Sequence, residues 1–155
     1  MSIDVVNGFF RISIKAVIFD ETRTKFLVIL EDNGYWEVPG GGLDWGESPE
    51  ECLKREIQEE MGLTVTYVSK NPTFLLLGKN MKGIWSAGVV YEVKVRDLNF
   101  TPTSECREIK FISPDELATI NAFRTVKELA EKLMKSITDI EKIDYPRAVA
   151  HKISR

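Results

Sequence analysis

The sequence predicts an α/β fold in which a mixed β-sheet lies between helices. Segments rich in β-branched and aromatic residues alternate with two stretches of helical periodicity, and no linker rich in Gly, Pro and Ser separates them. A chain of 155 residues with 43% hydrophobic residues is long enough to bury one core. We therefore expect residues 1–155 to form one domain, with a peripheral C-terminal tail from about position 138.

Three extended segments are predicted before residue 40. Residues 10–19 (FRISIKAVIF) and 26–30 (FLVIL) have the composition of strands, and a polar turn lies between them at residues 20–24. Residues 36–38 form a shorter extended piece that ends at Pro39, because a residue before proline disfavours the helical conformation.

A helix is predicted over residues 49–61. Ser48 is a suitable N-cap, and Pro49 suits the first helical position. Glu51 completes a capping box with Ser48, and Gly62 is a good C-terminal stop. Both ends of this helix are therefore specified by local sequence.

The second half of the chain is predicted to contain a hairpin, a short strand and two helices. Residues 63–77 and 84–95 are interpreted as two long strands joined through residues 78–83. A shorter strand at 109–112 is followed by a helix that opens at residues 113–116, and a last helix shows apolar periodicity over 122–137.

Three glutamates of the first helix are placed on one side of it. Glu56, Glu59 and Glu60 have the spacing i, i+3 and i+4, which brings them within one arc at about 100° per residue. Like charges at this spacing destabilise a bare helix, so a solvated acidic face explains the pattern less well than a bound cation does. The glycines at 40–42 allow backbone carbonyls to approach a ligand, and oxygen donors of this kind select Mg²⁺ or Mn²⁺.

Composition argues against several classes of protein. The net charge of −3 disfavours a surface for duplex nucleic acid, and the absence of a long apolar run disfavours a membrane span or an export signal. Cys52 and Cys106 are far apart and lack the spacing of a zinc site, so we expect two packed thiols rather than a disulfide. A cytoplasmic location fits this cysteine usage best.

The loop and the first helix together resemble the Nudix box, G-x5-E-x7-R-E-U-x-E-E-x-G-U, where U is a bulky aliphatic residue. The chain matches every fixed position over 23 residues, with Gly41, Glu47, Arg55, Glu56, Ile57, Glu59, Glu60, Gly62 and Leu63. The resemblance implies a Nudix-type α/β/α sandwich. It also implies hydrolysis of a nucleoside diphosphate linked to another group, with Mg²⁺ or Mn²⁺ as the cofactor.

The same resemblance implies a role for the charged residues at the fixed positions of the box. Glu56, Glu59 and Glu60 correspond to metal ligands, and the carbonyl of Gly40 corresponds to the backbone ligand. Glu47 and Arg55 correspond to the pair that braces the loop against the helix and orients Glu56.

The identity of the general base is left open by the sequence. A glutamate of the box is one candidate, either Glu56 or Glu59. Glu105 is another, with Glu108 as the second choice in the same segment, and a solvated loop residue is the competing interpretation of Glu105.

The substrate is expected to be a small nucleotide or another nucleoside diphosphate derivative. In the family that the chain resembles, residues at the position of 78–81 partly distinguish substrate subfamilies, and this chain has none of the distinguishing residues there. Arg11, Trp36 and Trp85 are candidates for substrate contacts, although aromatic residues at such positions more often belong to a core. Two other functions stay open, namely a nucleotide sensor without turnover and a prenyl-diphosphate isomerase. A homodimer is also left open. For the substrate, Lys15 and Lys79 are further candidates for phosphate contacts, and Phe74 and Phe123 for stacking on a base.

Overall fold

A computed structural model describes residues 9–142 of the chain. Within residues 9–142, seven strands and two long helices make up the fold, with a six-residue 3-10 helix at Pro114–Thr119 before the second long helix. In chain order the elements are β1 (Arg11–Val17), β2 (Phe26–Leu30), β3 (Trp36–Glu37), α1 (Pro49–Met61), β4 (Val65–Val68), β5 (Phe74–Lys79), β6 (Trp85–Val95), β7 (Glu108–Ile112) and α2 (Arg124–Lys142).

The larger sheet has four strands and is mixed. Strand β1 pairs in parallel with β6, so that Arg11 lies beside Ser86 and Ser13 beside Gly88. Strands β5 and β4 both pair antiparallel with β6, at successive positions along its 11 residues. Strand β6 therefore joins the three other strands of this sheet. The smaller sheet is antiparallel, with the order β3, β2, β7.

Two apolar clusters hold α1 and α2 against the sheets. In the first, α1 packs through Leu53 and Ile57 on residues that include Ile14 and Leu27. In the second, α2 packs through Val126 and Leu129 on a separate set from both sheets. Burial of such side chains contributes about 1.5–3 kcal/mol each. The predicted α/β architecture, with a mixed sheet and helices, is confirmed.

The predicted long strand at 63–77 is wrong. The structure contains two strands there, β4 and β5, separated by residues 69–73. The Ser69 hydroxyl donates to the Asn71 carbonyl at 2.9 Å, and Pro72 has no backbone N–H to offer a ladder. Local turn chemistry at residues 69–73 therefore separates the two strands, and Asn71-Pro72 is the sequence signal for that turn.

Several boundaries also differ from the predictions. The hairpin turn lies at residues 80–84, so Gly78 belongs to β5 rather than to the turn. The helix predicted to open at 113–116 is only the 3-10 turn, and α2 begins at Arg124 instead of residue 122. Helix α2 passes position 138 and reaches Lys142, while the rest of the predicted tail, 143–155, lies outside the described residues. Helix α1 has the predicted bounds.

No helix among residues 9–142 is long and apolar enough to cross a membrane.

Candidate active site

The capping groups of α1 fix the helix that carries the glutamates. The Ser48 hydroxyl accepts a hydrogen bond from the Glu51 N–H at 3.2 Å, and the Glu51 carboxylate accepts one from the Ser48 N–H at 2.8 Å. At the other end, Gly62 adopts φ of 67° and donates to the Gln58 carbonyl. The left-handed conformation at this position favours glycine.

The glycine loop lies between strand β1 and helix α1. The Ile14 N–H donates to the Gly41 carbonyl at 2.8 Å, which ties the loop to β1. A Cβ atom at Gly41 would stand 2.4 Å from the carboxyl carbon of Glu56. Only a residue without a side chain allows the Glu56 carboxylate to lie so close to the loop backbone.

Arg55 connects the loop to the outward side of the glutamate cluster. Its guanidinium donates to both carboxylate oxygens of Glu47, at 2.8 and 2.9 Å, and to Glu56 Oε1 at 2.7 Å. It also donates to the Gly42 carbonyl at 3.1 Å. These bonds from Arg55 lower the pKa of Glu47 to about 2. The contacts are those expected of a bracing pair, and that role stays a prediction.

Glu60 occupies the buried side of the cluster. Its side chain accepts a hydrogen bond from the Gly40 N–H at 3.0 Å, and the residue is 8% exposed. Burial raises the pKa of Glu60 to about 8. Glu59 is different, because its side chain is 56% exposed and approaches Arg55 at 3.4 Å. The three glutamates therefore share one helix face but have three different environments.

The donor set fits a hard divalent cation, although it is not pre-assembled. Within residues 9–142, no three acidic, His or Cys side chains converge as a metal cage. Arg55 draws Glu56 and Glu59 toward itself, whereas Glu60 faces the backbone of Gly40. Three carboxylates and a carbonyl lie in one loop and helix, and Gly41 leaves the space that Glu56 needs. Their oxygen atoms are of the kind that Mg²⁺ and Mn²⁺ prefer.

Lys15 was a candidate for phosphate contacts, but its contact with the glycine loop was not predicted from the sequence. Its ammonium donates to the Gly40 carbonyl at 2.7 Å and to the Val38 carbonyl at 3.2 Å, and lies 3.7 Å from Glu37 Oε2. The residue is only 8% exposed. A signal is present in the sequence, because Lys15 interrupts an apolar strand between the buried residues Ile14 and Ala16.

A cavity of about 730 Å³ opens beside Lys15. Its floor includes the small residues Ser13 and Gly88, which are paired across β1 and β6. Most charged side chains in its wall are cationic, and Glu37 is the single acidic side chain among the described residues that line it. The cationic residues that line the cavity are Arg11, Lys15, Lys79, Lys82 and Arg124.

Only some of the predicted substrate candidates line this cavity. Arg11 and Phe123 do so, together with Lys15 and Lys79. Phe74 and Trp36 instead pack against the second apolar cluster. Trp85 stacks on Phe10 with ring centroids 5.9 Å apart.

The segment with the alternative base is tied to the end of α1. Thr103 Oγ1 donates to the Glu60 carbonyl at 2.9 Å and accepts a hydrogen bond from the Glu105 N–H at 3.3 Å. Glu105 is exposed, as is Glu108 at the start of β7. The structure thus brings the Glu105 loop to the helix end that carries Glu60, without assigning the base.

Both cysteines are free and fully buried, as expected of packed thiols. Burial raises the pKa of the Cys52 thiol, and that of Cys106, to about 12.

Comparison with known proteins assigns the family. The family model for the NUDIX domain matches residues 9–135. The chain belongs to the Nudix family. Solved structures share the Nudix fold at low identity. A MutT protein from Methanosarcina mazei Go1 is 19% identical with a TM-score of 0.70, over 83% of this chain and 95% of that one. The NUDIX domain of Shewanella oneidensis NrtR, complexed with ADP ribose, is 18% identical with a TM-score of 0.65, over 88% and 94%.

Curated relatives of this Nudix chain match over shorter stretches. A MutT-like protein from Streptomyces ambofaciens is 31% identical over 69% of this chain and 66% of its own length. An 8-oxo-dGTP diphosphatase from Proteus vulgaris is 58% identical over 21% of this chain and 30% of its own length. An RNA pyrophosphohydrolase from Ruthia magnifica is 33% identical over 43% and 38%. The chain thus spans less than two thirds of the length of these relatives.

Proposed function

We propose that this Nudix protein is a metal-dependent hydrolase that cleaves the pyrophosphate linkage of a nucleoside diphosphate derivative. The observation that carries the proposal is the meeting of the α1 glutamates with the glycine loop, where Glu60 accepts from the Gly40 N–H and Glu56 lies against Gly41. Lys15 connects the Gly40 carbonyl to a cavity with a cationic wall. Carboxylates alone would repel a polyanionic substrate. A divalent cation and the basic wall together make the site able to bind one.

Gly40, Glu56, Glu59 and Glu60 would hold Mg²⁺ or Mn²⁺, which supplies charge neutralisation and an activated water when bound. The chain's own residues have three further tasks. Arg55 and Glu47 keep the Glu56 carboxylate oriented against the loop. Arg11 and Lys15 bind phosphate oxygens from the cavity side, and Glu105, Glu56 or Glu59 accepts the proton of the attacking water.

The cavity supports a substrate with phosphates beyond the scissile linkage. Its volume of about 730 Å³ is in the range of small-molecule sites, and its basic residues outnumber the acidic one. Relatives named for 8-oxo-dGTP and RNA pyrophosphate cleavage make nucleoside triphosphates and 5′-triphosphate RNA the first compounds to assay.

A nucleotide sensor without turnover is the second candidate. The observation that favours it is the structural similarity to a NUDIX domain complexed with ADP ribose. The isomerase alternative has less support, because neither Cys52 nor Cys106 lines the cavity and both thiols are buried.

A phosphate-release assay separates these functions. The substrates are nucleoside triphosphates, 5′-triphosphate RNA, ADP-ribose, ADP-sugars, NADH and dinucleoside polyphosphates, each with Mg²⁺, with Mn²⁺ and with excess EDTA. Cleavage of triphosphates releases phosphate or pyrophosphate directly, whereas the other compounds yield phosphomonoesters, from which added alkaline phosphatase releases phosphate. A hydrolase gives these signals only with metal. Tight ADP-ribose binding without turnover would instead identify a sensor, and full hydrolysis in EDTA would contradict the proposed metal site.

We further propose that the protein works in a reducing cytoplasm, which two free, buried thiols support. Light scattering of the purified protein tests whether the homodimer left open by the sequence forms.

A further inference from the structure

Lys15 lies where its ammonium and a divalent cation would need the same oxygen atom. A buried ammonium must satisfy its donors within the protein, and Lys15 does so on the Gly40 and Val38 carbonyls and beside Glu37. The Gly40 bond is the shorter of its two hydrogen bonds, at 2.7 Å. Gly40 also supplies the backbone oxygen of the proposed metal site.

A lysine and a metal ion on the same carbonyl would repel each other strongly. With the ammonium at 2.7 Å from the oxygen and a metal at about 2.0–2.6 Å, the two charges would lie within about 5.3 Å of each other. The surroundings are largely buried, so water screens this repulsion only weakly. Metal binding at Gly40 is therefore opposed for as long as Lys15 keeps its hydrogen bond.

The cavity gives the Lys15 side chain an alternative position. Lys15 lines the cavity and Glu37 stands at the same wall, so rotation of the flexible side chain moves the ammonium toward bound phosphate. We infer that Lys15 competes with the divalent cation for the Gly40 carbonyl, and that a diphosphate in the cavity relieves the competition by drawing Lys15 away. This inference rests on the proposed metal site and adds to it a coupling between metal and phosphate binding.

The first test measures Mn²⁺ binding without nucleotide, by electron paramagnetic resonance, for the unmodified protein and for Lys15→Met. Loss of the competing ammonium should tighten Mn²⁺ binding by on the order of tenfold, as expected for a lost hydrogen bond to a charged group. Lys79→Met is the matched control, because it removes another cavity cation whose ammonium lies over the Trp85 ring instead of at Gly40. The control should change the affinity by less than about threefold.

Equal tightening in both variants would overturn the inference, because it would show a general charge effect. Unchanged or weaker binding in Lys15→Met would also overturn it while leaving the metal site intact. If Mn²⁺ binds neither the unmodified protein nor Lys15→Met, the proposed metal-dependent function itself fails.

The second test measures the coupling. Mn²⁺ affinity is determined with and without methylenediphosphonate, at buffered free Mn²⁺. The diphosphonate should strengthen Mn²⁺ binding several-fold more in the unmodified protein than in Lys15→Met. An equal factor in the two proteins would contradict the proposed relief by phosphate.

A third measurement needs no folded variant. In the unmodified protein labelled with ¹⁵N, a buried ammonium held by carbonyls should give a slowly exchanging Nζ resonance for Lys15. Saturation with Mg²⁺ should shift or broaden this resonance, while the resonance of exposed Lys94 stays unchanged. An unperturbed Lys15 resonance in the Mg²⁺-saturated protein would overturn the inference even if Lys15→Met does not fold.

Discussion

The two sides of the glutamate cluster are neutralised in different ways. On the outward side, Arg55 binds Glu47 through two hydrogen bonds and keeps that carboxylate charged. On the buried side, Glu60 has the Gly40 N–H as its hydrogen-bond partner, and its pKa is raised to about 8 by burial. The outward side is therefore fixed by side-chain ion pairs, whereas on the buried side Glu60 keeps its proton up to a pH of about 8 unless a cation binds.

The largest expected effect concerns the loop attached to the buried side. If Glu105 is the general base, Glu105→Gln removes the proton acceptor at nearly constant shape, and kcat should fall by about 10²–10⁴. A metal titration at saturating substrate checks this, with a lowered plateau and an unchanged midpoint expected. Glu108→Gln tests the second candidate from the same segment by the same titration. A shifted midpoint would instead make Glu105 a ligand, and no change in either variant would return the base role to the helix.

The second prediction compares glutamates on one helix. Glu59→Gln and Glu60→Gln remove charge where the metal is proposed to bind, and each should lower kcat by on the order of 10²-fold. Glu50→Gln is the control, because Glu50 lies in the first turn of α1 and pairs with Lys54 at the surface. Its kcat should stay within about twofold of the original value. Similar losses in all three variants would mean that the effect comes from the helix rather than from the site.

The third prediction tests the close approach of the Glu56 carboxylate, on the outward side of the cluster, to the glycine loop at Gly41. Gly41→Ala places a methyl group 2.4 Å from the Glu56 carboxyl carbon, so the carboxylate must move and kcat should fall by about tenfold. Gly42→Ala provides the comparison, because its new Cβ meets Arg11 Nη2 at 2.8 Å. Since Arg11 is proposed to bind phosphate, this variant should raise KM more than it lowers kcat. Steady-state assays of the two variants measure the difference. An equally mild effect of both would indicate that Glu56 need not approach the loop.

The last comparison concerns stability instead of kcat, because the two sides should differ in their pH dependence. The pKa of Glu60 is raised from 4.5 to about 8, so the folded protein keeps a proton that the unfolded chain releases between these values. Without metal, the free energy of unfolding should therefore fall as the pH rises from about 4.5 to 8, by at most about 1.4 kcal/mol per pH unit. Denaturant unfolding in EDTA measures this slope, and Glu60→Gln should remove it.

Glu47 should behave in the opposite sense. Its pKa is lowered from 4.5 to about 2 by Arg55, so its contribution to stability is present above pH 4.5 and is lost as the pH falls toward 2. Glu47→Gln should reduce the acid sensitivity and leave the slope between pH 4.5 and 8 unchanged. A common effect of both variants in both pH ranges would contradict the independence of the two sides.

Local sequence signals predicted the elements that local chemistry specifies. The bounds of α1 follow from Ser48, Pro49 and Gly62, whose hydrogen bonds and backbone angles are satisfied within a few residues. The break between β4 and β5 was missed although Ser69, Asn71 and Pro72 are turn-forming residues, because the apolar residues on both sides were given more weight. Its cause is a turn at Ser69 and Pro72 that competes with an extended run.

The candidate site was predictable to a similar degree. A spaced motif identified the glutamates, Arg55 and the glycine loop, because its residues lie within one loop and helix. Lys15 lies in β1, 23 residues before Val38, whose carbonyl accepts a hydrogen bond from its ammonium. No local sequence pattern predicts a contact between residues so far apart. The cavity was harder to predict than the Lys15 contact, because its wall combines side chains from β1, β5, β6 and α2.

The central position of β6 has a consequence for how the protein tolerates sequence change. An insertion at residues 69–73 would lengthen a surface loop while both β4 and β5 keep their pairing. A single residue inserted within β6 would instead shift its alternation relative to three partners at once, turning buried side chains outward. Natural variation in length should therefore accumulate between β4 and β5, while β6 keeps its 11 residues.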